Sequence, residues 1–390
     1  MRRSRTVRVA VAATLAGALI ASGATPAAHA AGRAPADRNR LQTAVDDLHA
    51  IGITGVQGLT GAGGRTTTAR SGVANIDTGA PVPRNGYFRM GSDTKTFVSV
   101  VLLQLVGDGR LSLDDSVQRW LPGVVSGSGN DGAKVTVREL LQHTSGIANY
   151  TDDLAVIRSP EAYYAHRFDH YDAADLVALA MKHPPLFAPG TSWSYSNTNY
   201  ILAGMIIQKV TGHSWAREVH DRVIAPLHLR QTYVPGDDPA LRNPHAEGYN
   251  QFAPGGPLVD TTIFNPTAAD AAGAMVSTPT DLARFWQALQ SGRLLAPAQM
   301  AQMHDTVPAP GLADPFPGAR YGLGIMWIDD SCGGYWSHAG DVPGMSTLNA
   351  VSPDGRQVVV LSLTTELADP TSELAVYRRA HQLIDDTLCS

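Results

Sequence analysis

The stretch from Met90 to Val106, MGSDTKTFVSVVLLQLV, constrains this chain more than any other. Val98, Val101, Leu102 and Leu105 recur at i, i+3, i+4 and i+7, the spacing of a helix with an apolar face. Val100, Leu103 and Val106 extend that face almost all the way round, which predicts a buried helix. Its first turn nevertheless carries Ser92, Asp93 and Lys95. Ser92 is a good N-cap and could satisfy an orphan amide. Ser92 and Lys95, three apart, also share one side of that turn. There an amine can take a hydroxyl proton, and the positive end of the helix dipole favours the developing alkoxide. Both readings stand on this helix alone.

The segment Met1 to Ala30 is expected to be removed. It has Arg2, Arg3, Arg5 and Arg8, an apolar run from Val9 to Ala21, and Ala28-His29-Ala30 as an A-x-A cleavage site. The run of roughly 13 residues is too short to span a bilayer. Cleavage near Ala30 takes four positive charges and no negative ones, moving the net charge from −5 to −9. An acidic chain without a basic run is a poor fit to nucleic acid or to an anionic membrane. The mature protein is expected to be secreted and to act as a monomer on a small-molecule or peptide substrate, with no cofactor. Two cysteines, Cys332 and Cys389, allow one intramolecular pairing, and a disulfide suits that compartment. Such a bridge closes a loop of about 57 residues, worth roughly 4 kcal/mol in the chain-entropy model. Their separation and the lack of a C-x-x-C argue against a zinc site, and no metal is expected.

In chain order, Asp37 to Ile51 reads as an amphipathic helix. Gly55 to Asn75 reads as a hairpin turning at Gly61-Ala62-Gly63-Gly64. Thr136 and Glu139 form a capping box for a helix ending at His143, a residue expected to be structural. Tyr171 to Lys182 and Tyr200 to Val210 are helical, and Thr278-Pro279 opens another helix. Beyond about 290 the period changes. Tyr321, Leu323, Ile325 and Trp327 alternate as one strand, Tyr335 to Ala339 as a second, then Met345 to Val351 and Gln357 to Leu363. Ser372 to Leu388 closes the chain as a helix. Residues 31–107 and 291–390 are expected to form one antiparallel sheet with flanking N- and C-terminal helices, around a helical insertion at 108–290.

There is no G-x-S-x-G elbow, H-E-x-x-H, P-loop or Rossmann fingerprint. What remains is Ser92-x-x-Lys95, Tyr195-Ser196-Asn197 and His338-Ala339-Gly340. Each alone has a plain structural reading as a cap, a polar loop or a strand end. Lysine is scarce, at positions 95, 134, 182 and 209, and only Lys95 follows a serine by three.

The three motifs, in this order, resemble the serine penicillin-recognising family of DD-carboxypeptidases, class C β-lactamases and related esterases. The resemblance extends over Val101 to Pro122, Glu139 to Gly146, Phe187 to Gly212 and Tyr321 to Gly340. It implies a β-lactamase/transpeptidase-like α/β (α+β) fold, an antiparallel sheet with flanking helices plus an all-helical region. It also implies a Ser92 acyl-enzyme, with Lys95 or Tyr195 moving the proton and Asn197 holding Lys95 and the substrate amide. His338 would orient Tyr195 or lend partial positive charge, and the backbone N–H groups of Ser92 and Asp341 would form an oxyanion hole. The substrate pocket would include Ala339, Gly340, Met326 and Ala268. The resemblance favours a D-alanyl-D-alanine carboxypeptidase. Esterase, β-lactamase-like or D-amino-acid amidase activity uses the same machinery, and a non-catalytic penicillin-binding sensor is the alternative of another class. Relatives continue the third motif as His-Thr-Gly-Thr and place an arginine at position 326 and a tryptophan at 268. The exchanges to Ala339, Asp341, Met326 and Ala268 weaken the hold on a substrate carboxylate, and Asp341 opposes it.

Overall fold

The computed structural model describes residues 27–316 and 318–389, with side chains from Asp37 onward. The expected signal peptide therefore lies almost wholly outside the described residues. Residues from Asp37 onward form one compact unit.

Helix α1 (Ala27–Ile51) leads into strands β1 (Gly55–Ala62) and β2 (Arg65–Gly72). Gly63 and Gly64 form the two-residue turn between them, with φ of +57° and +77°. Both values are positive, as the twist of a tight hairpin demands, and glycine adopts them without strain. The other sheet strands are β3 (Val307–Pro308), β4 (Arg320–Tyr321), β5 (Met326–Ile328), β6 (Tyr335–Ser337), β7 (Gly340–Val342), β8 (Met345–Val351) and β9 (Gln357–Leu363). Their order is β2-β1-β9-β8-β6-β5-β4-β3, with β7 paired on β8, and every pairing is antiparallel.

Strand β9 shows how the sheet is buried on both sides. Val358 and Val360 join the core of the helical body, whereas Val359, Leu361 and Leu363 join a second core. Alternate side chains leave a strand on opposite faces, so one apolar run feeds two cores. The second core is closed by Leu41, Ala44, Val45 and Leu48 of α1 together with Val376, Ala380, Leu383 and Ile384 of the last helix.

The helical body contains α2 (Thr94–Gly107), α3 (Val137–Gln142), α4 (Thr198–Thr211) and α5 (Pro279–Gln290); the C-terminal helix is α6 (Pro370–Leu388). Val98, Val100, Val101, Leu102, Leu103 and Leu105 are all solvent-free, as an all-round apolar helix requires. Phe97 stacks on Phe285 of α5 at 3.6 Å between centroids. The Thr136–Glu139 capping box starts α3, and His143 ends it in the left-handed region. Thr278 caps α5, with Pro279 at its first position.

Two local expectations are corrected. Residues 321–327 are a hairpin of β4 and β5 rather than one strand, because Gly322 and Gly324 break the extended run. The Gly322 N–H bonds the Ile325 carbonyl, and Gly324 sits at φ +75° with its N–H on Leu141. Ser92 is not the cap of α2. It lies in a 3₁₀ turn, Gly91–Asp93, that precedes the helix.

Candidate active site

The 3₁₀ turn swings Ser92 out of the helix and into a cavity of about 320 Å³ while keeping it over the first turn of α2. Lys95 on that turn is fully buried. Its Nζ lies 2.9 Å from Ser92 Oγ, 2.7 Å from Asn197 Oδ1 and 2.7 Å from the Ala272 carbonyl. Asn197 Oδ1 and the carbonyl can only accept. A neutral amine therefore spends its two N–H bonds on them and turns its lone pair to the serine hydroxyl. Burial drives the Lys95 pKa well below the usual lysine value, against smaller opposing effects of Asp93 and Asp341.

Tyr195 and Asn197 come from the loop entering α4. That loop is held from below: Asn149 Oδ1 accepts from the Asn197 N–H at 3.0 Å, and His143 Nδ1 accepts from Ser196 N at 3.2 Å and Asn199 Nδ2 at 3.1 Å. His143, buried and kept neutral by desolvation, is a structural hydrogen-bonder. Its ring lies 4.3 Å from the Tyr195 ring, and Lys95 Nζ is 4.9 Å from the Tyr195 ring centroid. Burial raises the Tyr195 pKa well above 10, opposed in part by the nearby Ser92 side chain.

The third motif occupies the bend between β6 and β7. His338 is 2 % exposed; its Nδ1–H donates to the Ala339 carbonyl at 2.6 Å, and Nε2 accepts from Tyr321 Oη at 2.8 Å. Burial, helped by Lys95, lowers its pKa to about 3, so the ring is neutral at physiological pH. This corrects the expected partial positive charge. Nε2 is also engaged with Tyr321 rather than Tyr195, whose ring centre is 6.4 Å away. The bend is tied to the Gly91–Asp93 turn by Asn349, which donates at 2.6 Å to both Asp93 Oδ1 and the His338 carbonyl.

Gly340 allows the two backbones of the site to touch. A Cβ there would stand 2.0 Å from the Met90 carbonyl oxygen and 2.8 Å from Ser92 N. A Cβ on Gly91 would meet Asp341 N at 2.7 Å. The Ser92 and Asp341 amides thus come from two chain segments in direct contact, the arrangement an oxyanion hole needs.

Of the expected pocket residues, Ala268 lines the cavity, and its carbonyl accepts from Tyr150 Oη at 2.8 Å. Ala339 packs on the second core and Gly340 abuts Ser92. Met326 is corrected: it is 2 % exposed and belongs to the second core, because β5 alternation turns it inward. Tyr150, Leu154, Val156, Phe264 and Pro343 form the apolar wall. Asp341, Glu366 and Asn250 also line the cavity. Asn149, Asn250, Ala272, Tyr321, Asn349 and Glu366 carried no signal in the sequence, since none belongs to a spaced motif. Cys332 and Cys389 form a disulfide with a Cα–Cα distance of 5.6 Å. Asp330 is nearby, but both sulfurs are consumed by the bridge.

A serine beside a buried lysine and a tyrosine, between an antiparallel sheet and a helical body, is the arrangement of a serine hydrolase of the β-lactamase/transpeptidase fold. The Beta-lactamase family profile matches residues 41–383, and the chain belongs to that family. It is 30 % identical over 321 residues to penicillin-binding protein 4 of Amycolatopsis lactamdurans, covering 76 % of this chain and 79 % of that one. Among solved structures, a D-stereospecific amidohydrolase from Streptomyces sp. superposes with a TM-score of 0.80 at 40 % identity, covering 87 % of this chain and 97 % of that one. The D-amino acid amidase of Ochrobactrum anthropi SV3 gives 0.78 at 28 % identity, covering 90 % and 99 %.

Proposed function

We propose that the protein hydrolyses the acyl bond of D-aminoacyl amides or peptides through an acyl-enzyme on Ser92. The observation that carries this reading is the Lys95 amine, buried, depressed in pKa and 2.9 Å from Ser92 Oγ. Lys95 takes the Ser92 proton as Oγ attacks the carbonyl carbon. The Ser92 and Asp341 amides receive the negative charge on the carbonyl oxygen. Tyr195, kept protonated by burial, passes a proton to the departing amine and takes back the proton that Lys95 received from Ser92. Water then attacks the ester, giving one proton by way of Lys95 to Ser92 Oγ as the C–Oγ bond breaks and the acid leaves. His338 is a neutral positioning residue for the Tyr321 hydroxyl and the bend.

The amide reading draws on the likeness to the Streptomyces amidohydrolase and the Ochrobactrum amidase, and on Ala339 and Asp341 standing in the third motif where relatives carry threonines that hold a C-terminal carboxylate. D-alanyl-D-alanine carboxypeptidase activity is the second reading, supported by the penicillin-binding relative. Export is part of the proposal. It rests on the Met1–Ala30 pattern and the disulfide, and no helix among the described residues is long and apolar enough to cross a membrane.

Intact-mass spectrometry with a β-lactam, a peptide ending in D-Ala-D-Ala, a D-amino-acid amide and a simple ester tests the reading. A mass gain lost in Ser92→Ala, together with turnover of an amide or ester, supports it. Adducts without turnover of any substrate replace it with the non-catalytic sensor. Exchanging Ala339 and Asp341 together for threonine is expected to raise DD-peptidase activity relative to ester hydrolysis; an unchanged ratio refutes the pocket argument.

A further inference from the structure

One side of the catalytic pocket carries charge that acyl transfer does not use. Asp341 and Glu366 line it and also line an adjoining recess of about 180 Å³, whose walls include Glu373 and Tyr377. Glu366 is the register partner of Asn250 in a parallel pairing of Thr365–Glu366 with Tyr249–Asn250, which sets the two residues side by side. Asn250 is 7 % exposed, lines the same pocket, and its Oδ1 has no hydrogen-bond partner. A buried acceptor without a donor is costly, and here the pocket is where a donor can arrive.

Among the described residues, no lysine or arginine forms an ion pair with Asp341, Glu366 or Glu373. The other charged groups on the pocket wall are engaged elsewhere. Arg167 lies over the rings of Tyr164 and Phe168, at 4.7 Å from each centroid, and Asp169 pairs with His166 at 2.8 Å. Lys95 is committed to Ser92, Asn197 and Ala272.

We infer that this side of the pocket is the subsite for a primary ammonium group on the substrate, bound by the carboxylates of Asp341 and Glu366 and by Asn250 Oδ1. The inference rests on the proposed acyl-transfer function and names its substrate class: acyl donors with a free amino group and an apolar side chain, rather than N-acylated ones. An ammonium brings three N–H donors, matching two carboxylates and one amide oxygen. It also supplies the missing countercharge. Burial and the charges of Asp341 and Glu373 push the Glu366 carboxyl up to about 7, burial and the charge of Glu373 push Asp341 up to about 6, and a bound cation draws both back toward ionisation.

The test compares D-phenylalanine p-nitroanilide with its N-acetyl derivative at pH 7. The wild type is expected to favour the free amine by at least about ten-fold in kcat/KM, the scale of a charge-assisted hydrogen bond. Glu366→Gln should bring that ratio close to one, Glu366→Lys should invert it, and Asn250→Leu should lower it by a smaller factor. A wild type indifferent to acetylation, or variants that slow both substrates equally, overturns the inference. Ser92-dependent turnover of p-nitrophenyl acetate without amine preference overturns this inference alone. Absence of any Ser92-dependent turnover overturns the proposed function as well.

Discussion

Gly340→Ala isolates the contact between the two backbones of the active site. Gly340 does not have a positive φ, so alanine suits its local conformation. The whole effect must then come from the new methyl. That carbon would lie 2.0 Å from the Met90 carbonyl oxygen and 2.8 Å from Ser92 N, both backbone atoms that no rotamer change can move. Restoring a contact of 3.4 Å requires β7 and the Met90–Ser92 turn to part by about 1.4 Å. An oxyanion donor displaced that far no longer reaches the oxygen, and losing one such donor costs about 2.7–4 kcal/mol, or roughly 10²–10³ in kcat. Stopped-flow measurement of p-nitrophenyl acetate turnover separates acylation from deacylation. Both steps pass through an oxyanion, so both should slow together, while the Lys95–Ser92 pair remains in place. An acylation rate within three-fold of wild type refutes the argument that these two segments form the oxyanion site. Gly91→Ala is less informative, because φ of +53° there adds backbone strain to the clash.

The remaining predictions concern the proton path, the bridge and pH. Tyr195→Phe is expected to slow amide hydrolysis by about 10²–10⁴, the range for general acid catalysis, and p-nitrophenyl ester hydrolysis by much less, since p-nitrophenolate leaves without a proton; equal losses on both contradict the acid role. Lys95→Met should abolish acylation of both substrate types, and adduct formation by intact mass is the check. Breaking the bridge with Cys332→Ala and Cys389→Ala removes a 57-residue cross-link, worth about 4 kcal/mol in the chain-entropy model, and should lower the denaturation midpoint with kcat retained. Glu366 has a folded pKa near 7, above its unfolded value, so the native state holds the proton more tightly and stability falls as pH rises from about 4.5 through 7. Glu366→Gln should flatten that fall and raise Tm at pH 8; a Tm unchanged or lowered there counts against an uncompensated carboxylate.

Much of the scaffold was legible because it follows from periodicity. The all-round apolar face of α2 predicted its burial, and the short apolar runs predicted strands Met345–Val351 and Gln357–Leu363. The exception at Tyr321–Trp327 is instructive. Its apolar alternation is real, but Gly322 and Gly324 permit a turn that alternation does not register, and Gly324 is needed because a Cβ would strike Ser99 Oγ at 2.1 Å. Ser92 illustrates a different gap. Its spacing to Lys95 was visible, yet a positive φ at Gly91 places it in a 3₁₀ turn ahead of the helix rather than at the cap.

By itself, then, the order of residues determined most of the helices and strands and set Ser92, Lys95, Tyr195, Asn197 and His338 in three spaced motifs, because these depend on neighbours within a turn or two. Tertiary structure alone decided protonation and which distant residues became neighbours. His338 is neutral because the fold buries it and sets it against Tyr321, 17 residues away. Glu366 and Asn250 stand side by side only because two strands pair across 116 residues of chain. Desolvation and long-range pairing are properties of the surroundings a residue acquires on folding, and no local spacing encodes them.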